Sequence, residues 1–181
     1  MWRRSAIDVA AVPAVALLWV GLFHLNGWMF AAFEESRVAN WIFLPAALRL
    51  LAVLLLGWRG VLGLWLGTLA TNADVFGDVG SRESLGVATV SALAPWLAVA
   101  MTRGRLDLRA DLSGLGAADL VLLAIVSAIC SALLHSAYLL WHGFDLAAVG
   151  SPVTMFVGNV VGTFLVLYLF KLVIAVLSRA R

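Results

Sequence analysis

Long apolar runs separated by short polar loops are the feature that most constrains the fold of this chain. Of its 181 residues, 64% are apolar and only 12% are charged, whereas soluble domains are about half apolar and a quarter charged. So little polar surface cannot coat a soluble globule, and the mean hydropathy of +1.04 agrees. The sequence therefore predicts an all-α, polytopic integral membrane protein that has the lipid bilayer as its main partner.

The length of the chain suits about six spans of roughly 20 residues joined by short loops. We predict a single transmembrane domain over 1–181, with spans at about 7–30, 40–58, 61–75, 85–101, 117–140 and 152–177. Ser151-Pro152 favours a helix start, since serine caps helices and proline suits the first helical position. Arg59-Gly60 is expected to form the turn between the second and third spans.

Lysine and arginine are distributed unevenly between the two sides of this topology. With the N-terminus in the cytoplasm, the inner segments hold nine of the 12 basic residues and the outer loops hold Arg37 and Arg82. The nine are Arg3, Arg4, Arg59, Arg103, Arg105, Arg109, Lys171, Arg179 and Arg181. The positive-inside rule then predicts both termini in the cytoplasm, as in a bacterial inner membrane. Because the charges collect at span ends, the basic excess does not indicate a nucleic-acid partner.

Arg49 is the remaining basic residue, and it lies inside the second predicted span. A guanidinium keeps its proton and is costly in hydrocarbon, so it must face a protein-lined or wet cavity unless it snorkels. Nine helical residues separate it from Asn40, which places it about 13 Å below the outer edge. Asp74 is the nearest acid in depth, and it is expected closer to the surface.

Other polar residues share this outer level, and two interpretations of them remain open. Helical spacing puts Ser131, His135, Tyr138 and His142 on one face of the fifth span. In the functional interpretation, an outward-facing pocket binds a small anionic molecule through Arg49, Asn72, His135, Tyr138 and Asn159. In the structural interpretation, the polar groups join helices to one another, and Asp74 pairs with Arg49 or caps the third span.

Catalytic and metal-binding patterns are lacking in the sequence. His24, His135 and His142 have no local ligand spacing, and Cys130 is the sole cysteine. No motif of a zinc protease or a serine hydrolase occurs, and no paired carboxylates fall inside a span. We therefore expect no enzymatic activity, no metal and no cofactor.

Small residues recur at every fourth position in three of the predicted spans. Gly63 and Gly67, Gly158 and Gly162, and the ridge Ala124, Ala128, Ala132 and Ser136 follow this pattern. Such steps let helices approach closely in lipid, where no hydrophobic force brings helices together. We expect them mainly to pack spans within one chain.

A set of tryptophan, proline and small residues recurs along the second and third spans and at the start of the sixth. It comprises Trp41, Pro45, Ala47, the turn Gly57-Trp58-Arg59-Gly60, Gly67, Asn72, and the later Gly158-Asn159-Val160-Val161-Gly162. In these features the chain resembles the membrane-associated sensor (MASE-type) family of bacterial input domains. Asn159 stands where that family has an acid. The resemblance implies a membrane-embedded sensory or ligand-binding unit that signals to a protein partner.

The overall architecture is also similar to the substrate-binding components of energy-coupling factor vitamin transporters. That similarity implies a transporter subunit, with the Ala124–Ser136 ridge as a surface for a partner. A structural or assembly subunit of a larger membrane complex is the third alternative. It predicts a closed interior in which Arg49 pairs with Asp74 or with backbone carbonyls.

Overall fold

The computed structural model describes residues 2–36, 38–77, 81–106, 114–145 and 150–179. Within these ranges the chain is helical and forms no β-strand. The helices are α1 (Trp2–Phe30), followed by a short 3-10 turn (Ala31–Phe33), α2 (Pro45–Leu56), α3 (Trp58–Phe76), α4 (Arg82–Thr102), α5 (Ala117–Trp141) and α6 (Pro152–Arg179). Three residues used to predict orientation, Arg37, Arg109 and Arg181, lie outside the described residues.

Four of the helical segments are long and apolar enough to cross a membrane. They are Ala10–Phe33, Arg82–Thr102, Ala117–Trp141 and Pro152–Arg179. The prediction of a helical fold is therefore confirmed for the described residues, and these four helices fit a membrane-embedded protein. The other two helices differ from these four, because α3 is more polar and the 12 residues of α2 extend only about 18 Å.

The second helix begins at Pro45, not near Asn40 as the apolar run predicts. Residues 34–36 and 38–44, named the strap here, are not helical and lead into α2. The turn between α2 and α3 is also misplaced in the prediction. It lies at Gly57, which has a φ of 56°, and Arg59 and Gly60 are already inside α3.

The predicted start of the last helix is confirmed. Helix α6 begins at Pro152, and the Oγ of Ser151 accepts a hydrogen bond of 3.1 Å from the N–H of Thr154.

Helix α2 occupies the centre of the bundle. It contacts each of the other five helices, while α1 packs on α3, α3 on α4, α4 on α5 and α5 on α6. This row of five helices therefore curves around a short central helix. Seven of the 12 side chains of α2 are buried, including Ala46, Ala47, Arg49, Leu50 and Val53, whereas Leu55 is exposed. A polar side chain on the buried part of α2 is thus forced to find its partners inside the protein.

The strap enters the bundle beside α6. The carbonyl of Phe43 lies against Gly162, which is about 15 Å along α6 from Pro152 at 1.5 Å per residue. Non-helical backbone at such depth is tolerated only where its polar groups are satisfied within the protein or line a cavity. Here the N–H of Phe43 donates to the carbonyl of Gly158 at 3.1 Å, and the N–H of Leu44 donates to Oδ1 of Asn26 at 2.8 Å.

The two glycine steps serve different purposes. Gly63 and Gly67 of α3 receive Val15 and Trp19 of α1, which confirms helix packing within the chain at this step. Gly158 and Gly162 face backbone carbonyls of the strap, and the expectation that they pack helix on helix is wrong there. A non-helical segment can approach α6 so closely only because these positions carry no side chain.

The small-residue ridge of α5 is buried inside the bundle. Ala124, Ala128, Ala132 and Ser136 are all at most 5% exposed. The ridge packs helices of this chain together, so the expectation that it offers a surface to a partner is wrong.

Replacing Gly162 with alanine tests the close approach of the strap. The added Cβ would overlap the carbonyl oxygen and carbon of Phe43, and such overpacking typically costs about 1–3 kcal/mol. We expect Gly162→Ala to lower the midpoint of thermal unfolding of the purified protein by several degrees. Gly21→Ala is the control, since nothing lies within 4 Å of a Cβ there. Equal midpoints for the two variants would contradict the packing described.

Candidate functional site

Arg49 projects from α2 into the interior and is only 7% exposed. Its Nη1 donates a hydrogen bond of 2.7 Å to the hydroxyl of Ser131 on α5. The ring centroids of Trp19 and Phe43 lie 5.1 and 5.0 Å from the guanidinium carbon. Aromatic faces attract a cation at such distances. The charge is thus stabilised by one hydroxyl group and two π-systems.

The guanidinium has no carboxylate partner among the described residues. Asp74, the predicted candidate, lies with Oδ2 3.9 Å from Nε2 of His24, and both side chains are mostly exposed. The expected pairing of Asp74 with Arg49 is therefore wrong. The Nε of Arg49 is buried without a hydrogen-bond partner, and no hydrogen bond joins Nη2 to a described residue. Among the described residues, only Nη1 of the guanidinium is hydrogen-bonded, and Nε is enclosed by its surroundings.

Two adjoining cavities border Arg49. The first, of about 40 Å³, lies between the strap, α2, α5 and α6, and its wall includes Asn40, Ser131 and Asn159. The second, of about 50 Å³, extends towards α1, α3 and α4. Phe43, Arg49 and His135 line both. A third cavity, of about 10 Å³, lies on the side of Ser127 and Thr163.

An apolar cluster packs beyond Arg49 towards the C-terminal end of α2. Leu50, Leu123 and Ala124 are its buried members, with Phe164 packed against them. The larger cavities therefore lie on the strap side of Arg49, and packed side chains fill the opposite side.

His135 lies between Ser131 and Ser91, and its hydrogen bonds define its tautomer. Its Nδ1 is 2.8 Å from the carbonyl oxygen of Ser131, and its Nε2 is 2.9 Å from the hydroxyl of Ser91. Because a carbonyl only accepts, Nδ1 carries a proton. Burial beside the positive charge of Arg49 disfavours a second proton on the ring, so Nε2 of the neutral ring accepts from Ser91. A neutral histidine adds no second positive charge beside Arg49.

Two predicted asparagines also reach the cavities, with different environments. Asn159 borders the cavity between the strap and α6, and its side chain is 6% exposed. Asn72 borders the second cavity, but its Nδ2 donates to the carbonyl of Ser84 at 2.8 Å and so joins α3 to α4. Four of the five predicted residues, Arg49, Asn72, His135 and Asn159, are therefore brought together.

Tyr138 is the predicted residue that the fold does not bring to the cavities. Its hydroxyl donates to the carbonyl of Arg82 at 2.8 Å, and its ring covers Gly86 on α4. It stacks on His142, with ring centroids 4.2 Å apart. Tyr138 thus fixes the start of α4 to the end of α5.

Sequence reasoning missed several residues that shape the site. Ser131 was detectable, because helical spacing places it on the same face as His135. Trp19 and Phe43 gave no signal, since an aromatic residue in an apolar run has the same pattern whether it faces lipid or protein. Asn26 was equally hidden, because its role depends on a strap that the sequence predicts as helix.

In the part of the chain that the structure describes, no three His, Cys, Asp or Glu side chains come together as metal ligands would. Comparison of the chain with protein-family models, curated proteins and solved structures found no match. Functional inference therefore rests on the geometry of the site itself.

Two serines on α5 allow a matched test of how the charge is held. In Ser131→Ala, the Nη1 of Arg49 loses its partner, and an unsatisfied charged donor costs about 1.5–3 kcal/mol. In Ser136→Ala the same substitution removes an Oγ that is buried without a partner, so no loss is expected. Chemical or thermal unfolding of both variants in one detergent measures the difference. Equal stability of the two would contradict the role assigned to Ser131.

Proposed function

We propose that this chain is a membrane-embedded sensory module that binds a small anion at Arg49 from the extracytoplasmic side and signals to a protein partner. The observation that carries the proposal is a buried guanidinium that borders two cavities and has no carboxylate partner among the described residues. An intramembrane charge without a counter-charge marks a site of function by default. No catalytic step, metal or cofactor is part of the proposal.

The energetics of the bundle support a ligand at this position. Removing a charge from water costs several kcal/mol, even after relaxation of the surroundings. One hydroxyl and two aromatic faces offset only part of that cost, because exposed cation–π contacts contribute about 0.5–1 kcal/mol and desolvated ones about 2. An anion in the cavity would supply the missing counter-charge. The burial of Arg49 is therefore better explained by a role in binding an anion than by a contribution to the stability of the fold.

The proposal also includes the orientation of the chain in the membrane. We place both termini in the cytoplasm of a bacterial inner membrane, with α2 and the strap together forming the second of six spans. The basic residues Arg103 and Arg105 follow α4, on the side where Leu106 and Leu115 join the apolar cluster. The strap and its cavity lie at the opposite end, near the start of α6. The cavity then faces the extracytoplasmic side.

The central position of α2 supports a sensory role. A bound anion would contact Arg49 and the wall formed by the strap, α5 and α6, and α2 contacts all five surrounding helices. Binding of the anion at Arg49 would thus change how the helices of the whole bundle pack. A partner in the membrane or cytoplasm would detect that change. A transporter subunit would use the same site, but the ridge on α5 assigned to its partner is buried.

Replacing Arg49 with methionine separates binding from stability. Apolar replacement of buried charges is often neutral or stabilising by about 1–4 kcal/mol, so we expect Arg49→Met to unfold at or above the wild-type temperature without ligand. The wild type should gain stability on titration with sodium formate, by about 2.7 kcal/mol at a hundred times the dissociation constant. Arg49→Met should not respond.

Two further variants complete this experiment. Arg49→Lys keeps the charge but loses the two-pronged donor edge, so its response should be weaker than that of the wild type. Arg105→Met removes an exposed arginine and should respond like the wild type. If no anion stabilises the wild type and Arg49→Met is strongly destabilised, the proposal is wrong and Arg49 has a structural role.

A further inference from the structure

A second buried polar side chain borders the same cavities as Arg49 and lacks a partner among the described residues. Asn159 of α6 is 6% exposed. It accepts a hydrogen bond at its backbone carbonyl, but its side-chain amide makes none to a described residue. Asn159 and Arg49 both lie in the walls of the first and the third cavity. Because buried polar groups are normally hydrogen-bonded, two such groups around shared cavities indicate a common ligand.

The packing of α6 against the strap fixes the position of this amide. Gly158 and Gly162, which flank Asn159 in the sequence, lie against backbone carbonyls of the strap. The carbonyl of Gly158 also accepts a hydrogen bond of 3.1 Å from the N–H of Phe43. A shift of α6 that withdrew the amide would move these glycines out of register with the strap. The amide is therefore held beside the cavities by contacts of its own helix.

The chemistry of the amide suits a site that receives an anion. Its –NH₂ group can donate a hydrogen bond to an anion, whereas a carboxylate of almost the same shape only accepts. A carboxylate at this position would also give Arg49 a counter-charge from within the protein, and an external anion would have to displace it. The neutral amide avoids that competition and adds a donor, so one bound anion can satisfy both side chains.

These observations give Asn159 a role that rests on the proposed anion-binding function. We infer that Asn159 is a second ligand-contacting residue, whose amide donates to the anion and whose lack of charge keeps Arg49 available to it. Because Arg49 belongs to α2 and Asn159 to α6, the bound anion bridges these two helices beside the strap.

Asn159→Asp tests the importance of the missing charge, because it introduces a carboxylate with almost no change of shape. Binding is measured from the dependence of thermal unfolding on sodium formate, with the full chain in neutral detergent at neutral pH. We expect Asn159→Asp to lose the formate response of the wild type. Gly104→Asp is the matched control, since Gly104 is exposed and nothing lies within 4 Å of a Cβ there. It should respond like the wild type.

A double-mutant cycle with Arg49→Met shows whether the new carboxylate acts through Arg49. A buried carboxylate without a cation is costly. The aspartate substitution should therefore change the unfolding midpoint more favourably in the wild-type chain than in Arg49→Met, by about 5 °C. Equal changes in the two backgrounds would overturn the inference. This measurement is made without ligand.

Asn159→Ala tests the amide as a donor, because it removes the group without adding bulk to the cavity wall. We expect the affinity for formate to fall about fivefold, which is the effect of one ordinary hydrogen bond. An affinity equal to that of the wild type would overturn the role of the amide as a ligand contact.

The outcomes distinguish this inference from the function on which it rests. If the wild type responds to formate through Arg49 and Asn159→Asp responds equally, the inference is overturned and the anion site at Arg49 remains. If the wild type responds no more than Arg49→Met does, the proposed function fails, and the inference fails with it.

Discussion

The buried charge of Arg49 is the constraint on which the rest of this structure depends. A guanidinium cannot be neutralised by losing its proton, so the protein must surround it with compensating groups. Ser131 and the faces of Trp19 and Phe43 provide that compensation from α5, α1 and the strap. These contacts connect α5, α1 and the strap through the guanidinium group, and Arg49 also borders two cavities.

The strap explains how such a site exists inside a helical bundle. A continuous second helix would fill the space beside α6, whereas the strap ends at Pro45 and leaves room next to Arg49. The N–H groups of Phe43 and Leu44 in the strap donate to Gly158 and Asn26, as non-helical backbone inside a membrane requires. The break in the second span and the burial of the charge are therefore connected. The break makes room for the cavity, and it also places Arg49 near the wall of that cavity.

Much of this arrangement follows from the sequence, and the limits have physical reasons. Apolar runs bounded by capping residues predict the ends of α4, α5 and α6 to within a few residues. The rise per helical residue predicts that Arg49, Asn72, His135 and Asn159 lie at one depth. The strap is hidden because Trp41 to Leu44 are as apolar as a helix would be. Tyr138 was wrongly assigned to the pocket. Helical spacing predicts which residues share a face of α5, but not which neighbouring helix packs on each turn of that face, and α4 packs on the turn that carries Tyr138.

The most direct test of anion binding at Arg49 is the NMR signal of its Nε–H group. Arginine labelled with nitrogen-15 gives one resonance per Nε–H, and the Arg49→Lys variant identifies the one that belongs to Arg49. We predict that titration with formate shifts this resonance and that the shift saturates, because a charge-assisted hydrogen bond to the guanidinium changes the electronic environment of its Nε–H group. An Arg49 resonance that does not move at any formate concentration would contradict the account.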